Sequence, residues 1–225
     1  MNSKGGSGKT TVTTNLVSAL SCTGLKPALI DLDPQGSSTR WLANRPASLA
    51  SIIGTEGFQN SLQVTKTWHL RTPENSDLAV IDTPAGLTRQ DLISATRGVD
   101  AILIPVMPSD IDIHAVMKCI SDLLLVAKIP RPDLKIGIIA NRVRANTRVY
   151  SQLRKFLSSL DIPVVATLRD SQNYTRAFEF GMGIHEMPFS QVKKDIDAWS
   201  DIMGWLDRLR ERNLGQPSAI HYLRG

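Results

Sequence analysis

Lys4-Gly5-Gly6-Ser7-Gly8-Lys9-Thr10-Thr11 is a run of residue types suited to holding phosphate. Glycine lets a backbone curl until several N–H groups point at one anion, with no Cβ in the way. A helix that begins where such a loop ends adds its own unpaired N–H groups and the positive end of its dipole. In that setting Lys9 neutralises the outer phosphates, and the Thr10 hydroxyl is suited to ligate Mg²⁺. The usual phosphate loop reads Gly, four residues, Gly-Lys-Ser/Thr. Here Ser3 takes the first glycine's position, and a second lysine, Lys4, sits inside the loop.

Two further stretches supply carboxylates. Pro27–Asp31 reads as a short buried strand running into Asp31-Leu32-Asp33-Pro34-Gln35-Gly36, and Leu78–Ile81 as another, ending in Asp82-Thr83-Pro84-Ala85-Gly86. Ligands of open α/β sheets bind off the C-terminal ends of the strands, which is where both aspartate groups fall. An apolar strand that delivers a carboxylate to its tip is a Walker B arrangement, and it assigns Asp82 to Mg²⁺ through water.

In this order the three stretches resemble the ParA/MinD ATPases. KGGSGKTT is similar to that family's deviant Walker A box, DLDPQG to its switch I and DTPAG to its switch II. The resemblance covers roughly residues 2–212, and with the short length and DPQG it points to the small ParA class. That class includes plasmid and chromosome partition proteins and orphan members that position carboxysomes or chemoreceptor clusters. The resemblance implies hydrolysis of ATP to ADP and phosphate, slow on its own and stimulated by a ParB-like or other cargo-bound adaptor. Lys4 would reach across a nucleotide sandwich homodimer to the partner's phosphates. The ATP cradle would run from Gly5, Gly6, Ser7 and Gly8 through Lys9 to Thr10 and Thr11. Switch I would contribute Asp31, Asp33 and Gln35, with Asp33 approaching the attacking water and, indirectly, the metal. Switch II would contribute Asp82 and Gly86, whose backbone can approach the γ-phosphate. Asn141, at the tip of a strand over 135–141, is expected to reach an adenine amine. Related GTPases carry a guanine-accepting Asp where this chain has Arg144, so adenine is the expected base.

Alternating strands and helices imply a mainly parallel sheet flanked by helices, and the resemblance implies a P-loop NTPase of the SIMIBI type in one α/β domain over 1–225. The pattern predicts a helix over about 10–21, a short one over 39–45, and strands over 101–106, 135–141 and 164–168. A helix over 110–127 is expected to bury Ile113, Val116, Met117, Ile120 and Leu124. One over 149–160 should bury Tyr150, Leu153, Phe156, Leu157 and Leu160, and a terminal helix over 191–212 should bury Val192, Ile196, Trp199, Ile202, Leu206 and Leu209. Residues 47–76 carry only weak amphipathic patches at Leu49–Ile53 and a candidate strand at Trp68–Leu70; about 213–225 reads as a flexible tail. Only Met1, Asn2 and Ser3 precede the loop, whereas a strand takes about five or six residues. An apolar, β-forming segment is therefore expected to be encoded just upstream.

Composition narrows the rest. At 42% hydrophobic and 21% charged residues, the chain is ordinary for a globular protein, and no apolar run approaches a membrane span. Cys22 and Cys119 stand alone, which suits core packing in a reducing cytoplasm and disfavours the iron–sulfur reductases related to this family. The net charge of +5 is uneven: residues 1–112 hold nine basic and ten acidic residues, and residues 113–225 hold 17 and 11. A basic second half fits non-specific binding of double-stranded, nucleoid DNA, with Arg154, Lys155, Arg169, Arg176, Lys193 and Lys194 as candidate contacts. No stable membrane association is expected. A MinD-like membrane-surface switch and a small-molecule ATP-dependent ligase on the same fold are the alternatives.

Overall fold

Pro27-Ala-Leu-Ile-Asp31 and Leu78-Ala-Val-Ile-Asp82 form neighbouring parallel strands, and everything in the candidate site hangs on their ends. The computed structural model describes residues 1–2, 4–57, 72–129 and 135–214. Ser3, the candidate strand at Trp68–Leu70 and the tail beyond 214 lie outside the described residues. The elements in chain order are α1 (Lys9–Cys22), β1 (Pro27–Asp31), α2 (Ser37–Ala43), β2 (Ile53–Glu56), β3 (Leu78–Asp82), α3 (Arg89–Thr96) and β4 (Ile102–Val106). There follow α4 (Asp110–Leu125), β5 (Ile136–Val143), α5 (Arg148–Ser158), β6 (Val164–Arg169), α6 (Gln172–Glu179), a 3₁₀ turn at Ile184–Glu186 and α7 (Phe189–Leu214). They make two compact units, one of Gly8–Leu87 with Ser171–Lys193, the other of Met1–Ser7, Thr88–Asp170 and the chain from Lys194 onward.

The first unit holds a parallel sheet in the order β2-β1-β3. Its central strand β1 is buried at every position, as an uninterrupted apolar run covered on both faces should be. Val17 of α1, Leu29 of β1 and Trp41 of α2 form a fully buried cluster. α1 is buried from Val12 to Ser21, and its polar side chains are partly satisfied locally. Asn15 Nδ2 donates to Thr11 O at 2.8 Å, and Asn15 Oδ1 accepts from Ile184 N at 2.9 Å. Gly183 lies against Ser18 so closely that a Cβ there would sit 2.2 Å from Ser18 Oγ. At the far end of α2, Trp41 Nε1 donates to Met182 O at 3.1 Å and Arg45 pairs with Glu186. The loop through residues 181–186 thus braces both the phosphate-loop helix and the helix after Asp33.

The second unit holds a parallel sheet in the order β4-β5-β6. Met1 N and Asn2 Nδ2 donate to Leu103 O and Pro105 O along β4. Trp199, Ile202, Trp205 and Leu209 form the buried stripe of α7, and Gly137 on β5 makes room for it. A Cβ at Gly137 would lie 2.8 Å from Val165 Cγ1 and 2.9 Å from Trp205 Cζ2.

Several local expectations are corrected. β2 occupies 53–56 where only a weak amphipathic patch was expected, and α3 was not anticipated. On α4 the buried residues are Asp112, Val116, Cys119, Ile120 and Leu123, while Met117 is 48% exposed. The stripe is rotated because Asp112 turns inward to meet a charge. On α7, Trp205 is buried and Leu206 only half-buried. Cys22 is exposed and Cys119 buried, so only the second packs in the core.

Replacing Gly137 by Ala puts a methyl into that contact. Overpacking of this kind costs about 1–3 kcal/mol. Urea denaturation should show the midpoint falling at unchanged slope; an unaltered midpoint would mean that Trp205 retreats freely.

Candidate functional site

The carboxylate part lies in the first unit. β1 and β3 pair in register, so Asp31 and Asp82 are opposite one another at the strand ends, and both side chains are buried. Two buried like charges are costly side by side, and the chain treats them differently. Asp31 is well supplied with donors: Oδ1 accepts from Asp33 N at 3.0 Å, and Oδ2 accepts from Thr39 N and Thr39 Oγ1, both at 2.9 Å. Thr39 lies in the first turn of α2, whose N-cap is Gly36 in the left-handed region, without a side-chain cap. Asp31 therefore does the capping from the neighbouring strand. Asp33 is half-buried in the turn that follows; its Oδ1 accepts from Gln35 N at 3.0 Å and its carbonyl from Gly36 N at 2.8 Å. Gln35 is exposed.

Asp82 has far less support. Its Oδ1 accepts only a long bond, 3.4 Å, from Thr13 Oγ1, and its Oδ2 has no partner among the described residues. Burial pushes the pKa up to about 6; the Thr10 hydroxyl lowers it, and the nearby charge of Asp31 raises it again. A buried carboxylate oxygen without a donor suits a cation's hydration shell. Among the described residues no group of three or more His, Cys, Asp or Glu could hold a metal. The donor set of Thr10 and Asp82, with water and phosphate completing it, fits Mg²⁺, which keeps most of its waters. Gly86, past β3, is exposed with φ of 69°, a backbone freedom few other residues share.

The glycine-rich stretch spans the boundary of the two units, after Ser7. On the first-unit side, Gly8 has φ of 92° and starts α1 with no side-chain cap and no acidic residue in its first turn. α3, α4, α5 and α6 each have a Ser or Thr cap that accepts from a backbone N–H. α1 has no such cap, and the first turn of an uncapped helix is suited to an anion. On the second-unit side, Gly5 and Gly6 are exposed, and a Cβ on either would meet nothing within 4 Å. Ser7, fully buried, is held by its carbonyl, which accepts from Asn141 Nδ2 at 2.9 Å. Asn141 Oδ1 in turn accepts from Arg142 N at 3.0 Å. Expected to reach a base, Asn141 is buried here and holds the loop. A register shift in β5 between Ala140 and Val143, with Arg142 at φ of 51°, gives the strand tip its irregular path.

Lys4, expected to serve a partner's phosphates, forms an ion pair with Asp112, whose side chain is fully buried at the start of α4. Ser109 caps α4 by accepting from Asp112 N at 3.2 Å and donates its hydroxyl to Asp112 Oδ2. Sequence reading missed Asp112, Ser109 and Thr39. The spacing Ser109-x-x-Asp112 is a helix-cap signal that could have marked the first two.

The basic candidates divide. Arg154 and Lys155 on α5, Arg176 on α6, and Lys193 and Lys194 on α7 are exposed. Arg176 lies in the last turn of α6. Arg169 ends β6 and makes a bidentate pair with Asp195, at 2.6 and 2.8 Å to a fully buried carboxylate. Arg142 and Arg144 share Asp170, whose pKa is lowered by their hydrogen bonds.

A family model described as "CobQ/CobB/MinD/ParA nucleotide binding domain" matches residues 1–184. The maintenance of carboxysome distribution protein A of Halothiobacillus neapolitanus is 29% identical over 189 residues, spanning 83% of this chain and 85% of that protein. Among solved structures, a McdA variant from Cyanothece in complex with ATP has a TM-score of 0.67 at 19% identity, covering 98% of this chain and 96% of that one. The septum site-determining protein MinD of Pyrococcus horikoshii, complexed with Mg-ADP, has a TM-score of 0.69 at 20% identity, covering 93% and 95%. At these identities the two structures speak for the fold.

Asp82 also sets a pH dependence. With a folded pKa of about 6 and an ordinary unfolded value near 4, the stabilising proton is fully held below about pH 4 and lost as pH rises through about 6. The nucleotide-free protein should weaken across that window by up to about 3 kcal/mol. Asp82→Asn should remove the slope and melt higher near pH 7. Denaturation at several pH values checks this; a variant retaining the slope would assign it to another group.

Proposed function

The chain belongs to the CobQ/CobB/MinD/ParA nucleotide-binding family, and from that premise we propose that it is an ATP-driven dimerisation switch that positions or segregates a cargo on DNA. The coarse activity is that of a ParA/MinD-type P-loop ATPase. The observation that carries the finer reading is the second lysine. Lys4 is held by the buried Asp112 beside the loop, so its charge has a resting partner in its own chain and can be exchanged for phosphate oxygens of a facing subunit.

The geometry supports the following roles. The uncapped start of α1 and the backbone from Gly5 to Thr11 bind the phosphates, and Lys9 neutralises them. Thr10 and Asp82 would hold Mg²⁺, which when bound adds charge neutralisation at the β- and γ-phosphates. Asp31 fixes the start of α2, and with it the turn that carries Asp33. Asp33 then orients the attacking water, and Asn141 holds the Ser7 carbonyl of the loop. Catalysis on this reading is electrostatic preorganisation, with no covalent intermediate on the protein.

The DNA partner rests on the exposed Arg154, Lys155, Arg176, Lys193 and Lys194. No base readout is proposed. The activating adaptor is a cargo-bound protein, and the H. neapolitanus relative, named for carboxysome distribution, makes a protein organelle one candidate cargo alongside a plasmid or chromosome region. The site of action would be the cytoplasm, at the nucleoid. No helix among the described residues is long and apolar enough to cross a membrane.

Lys9→Ala should abolish ATP binding by calorimetry. Lys4→Ala, combined with Asp112→Asn so that no buried carboxylate is left uncompensated, should bind ATP yet elute as a monomer. Dimerisation of that variant like wild type would rule out the role in trans. Asp33→Ala should bind ATP, hydrolyse it poorly and accumulate as dimer.

DNA binding should need ATP, ignore sequence and weaken with salt, log K falling by about 0.9 per phosphate contact. Arg176→Glu or Lys193→Glu should flatten that slope while sparing ATP binding. Arg169→Glu is a poor probe, because it would set a second carboxylate against the buried Asp195. Tight binding to arbitrary duplex without nucleotide, or none with ATP, would refute the DNA partner.

A further inference from the structure

Three hydroxyl residues in succession open α2, and two of them have partners. Ser37 Oγ accepts from Arg40 Nη2 at 3.2 Å, and Thr39 donates twice to Asp31. Ser38, between them, is fully buried, and its Oγ has no hydrogen-bond partner among the described residues. Other buried helical hydroxyls bond back to their own helix, as Ser21 does to Ser18 O at 2.8 Å and Thr96 to Leu92 O at 2.7 Å, although Ser18 of α1 is, like Ser38, without a partner among the described residues.

The second unpartnered atom of this unit's strand ends is Asp82 Oδ2. The Ser38 hydroxyl lies near enough to that carboxylate to favour its charged form, as the Thr10 hydroxyl does from the first turn of α1. Asp31 is already supplied by three donors and, as a carboxylate, offers none to Asp82. Ser38 adjoins Thr39, which bonds Asp31 directly opposite Asp82 in the sheet, so two buried polar atoms without a partner among the described residues lie at these strand ends, and buried polar atoms are rarely left so without a reason. A serine hydroxyl can accept from a metal-bound water and donate to a carboxylate at once. Mg²⁺ retains several waters and presents such a shell.

We propose that Ser38 is a positioning residue of the metal site: its hydroxyl takes a place in the hydration shell of the Mg²⁺ held by Thr10 and Asp82, so that metal occupancy fixes the first turn of α2. This rests on the nucleotide-binding reading above. Its consequence concerns the switch. Thr39 is already fixed to Asp31, and the preceding turn carries Asp33. Engaging Ser38 would tie that turn to the metal and make its order depend on a loaded site. Without the metal, the same turn is held from the Asp31 side alone.

The test uses Mn²⁺ as a paramagnetic stand-in, titrated into the full chain with the β,γ-imido analogue of ATP and followed by the electron paramagnetic signal of the free ion. Ser38→Ala should weaken Mn²⁺ binding about tenfold, the lower end for outer-shell partners of a metal. Its affinity for the analogue in EDTA should match wild type. The metal-free Ser38→Ala protein should melt at the wild-type temperature or above, because the variant deletes an unsatisfied buried hydroxyl. Ser38→Cys, nearly isosteric and a poor acceptor, should show the same loss of Mn²⁺ affinity and keeps the test open should the alanine variant not fold. Trypsin cleavage after the exposed Arg40 should be suppressed by metal in wild type and much less so in either variant. Unchanged Mn²⁺ affinity in the variants, or a lower melting temperature for metal-free Ser38→Ala, overturns the inference alone. Failure of wild type to bind Mn²⁺ with the analogue overturns the nucleotide reading, and this inference with it.

Discussion

Two carboxylates at the same level of neighbouring parallel strands are the constraint on which the site depends. The register that sets Asp31 against Asp82 follows from the apolar runs before them, each of which must stay in the sheet to its last residue. Both acids are then buried, and both cannot be stabilised by the same means. The fold spends its donors on Asp31, using the backbone of Asp33 and the first turn of α2. Asp82 is left with burial raising its pKa and one oxygen without a donor. A cation near Asp82 removes a destabilisation already present, so part of its binding free energy comes from relief of strain that folding left behind. The same division makes α2 an appendage of Asp31, and any change at the strand tips is passed on to the turn at Asp33.

Lys4 follows a related logic in the second unit. An ammonium paired with a fully buried carboxylate is expensive to remove, because Asp112 would be left charged in a poor solvent with only Ser109 to support it. Transfer of Lys4 to a facing subunit's phosphates therefore carries a cost that only a strongly anionic, well-positioned group offsets. Subunits lacking the terminal phosphate would offer less in exchange. A nucleotide-gated dimer needs such a threshold. On the proposed reading, the resting ion pair of Lys4 with Asp112 would supply it.

The motifs were legible because their chemistry is local. Glycines before Lys-Thr, and apolar runs ending in Asp, place loop and strand ends without knowledge of distant contacts. What escaped depends on long-range pairing. Asp112 reads as a polar residue on the outer face of a helix until Lys4 draws it inward, and that rotates the whole apolar stripe of α4. Arg169 reads as a solvated cation, yet a helix 26 residues further on offers Asp195 to both its nitrogens. β2 has a single large apolar residue, Ile53, and exists because β1 has an unpaired edge to offer it. α3 did have a local signal, Thr88 capping the Asp91 N–H, but its sequence between those caps is too polar to show a helical period.

The ion pairs also bear on how a chain of modest charge could be a gated polyanion binder. Arg142 and Arg144 share Asp170, and Arg169 is committed to Asp195, so much of the positive excess of the second half is already partnered. Arg154, Lys155, Arg176, Lys193 and Lys194, on α5, α6 and α7, are exposed. Because log K scales with the number of phosphates neutralised, a handful of contacts gives weak binding at physiological salt, and two subunits acting together give roughly the square of it. A dimer can then be retained on DNA while a monomer is released, with no rearrangement of the basic surface itself. On the proposed reading, nucleotide control of DNA affinity would reduce to control of stoichiometry, for which the pairing of Lys4 with Asp112 is the proposed threshold.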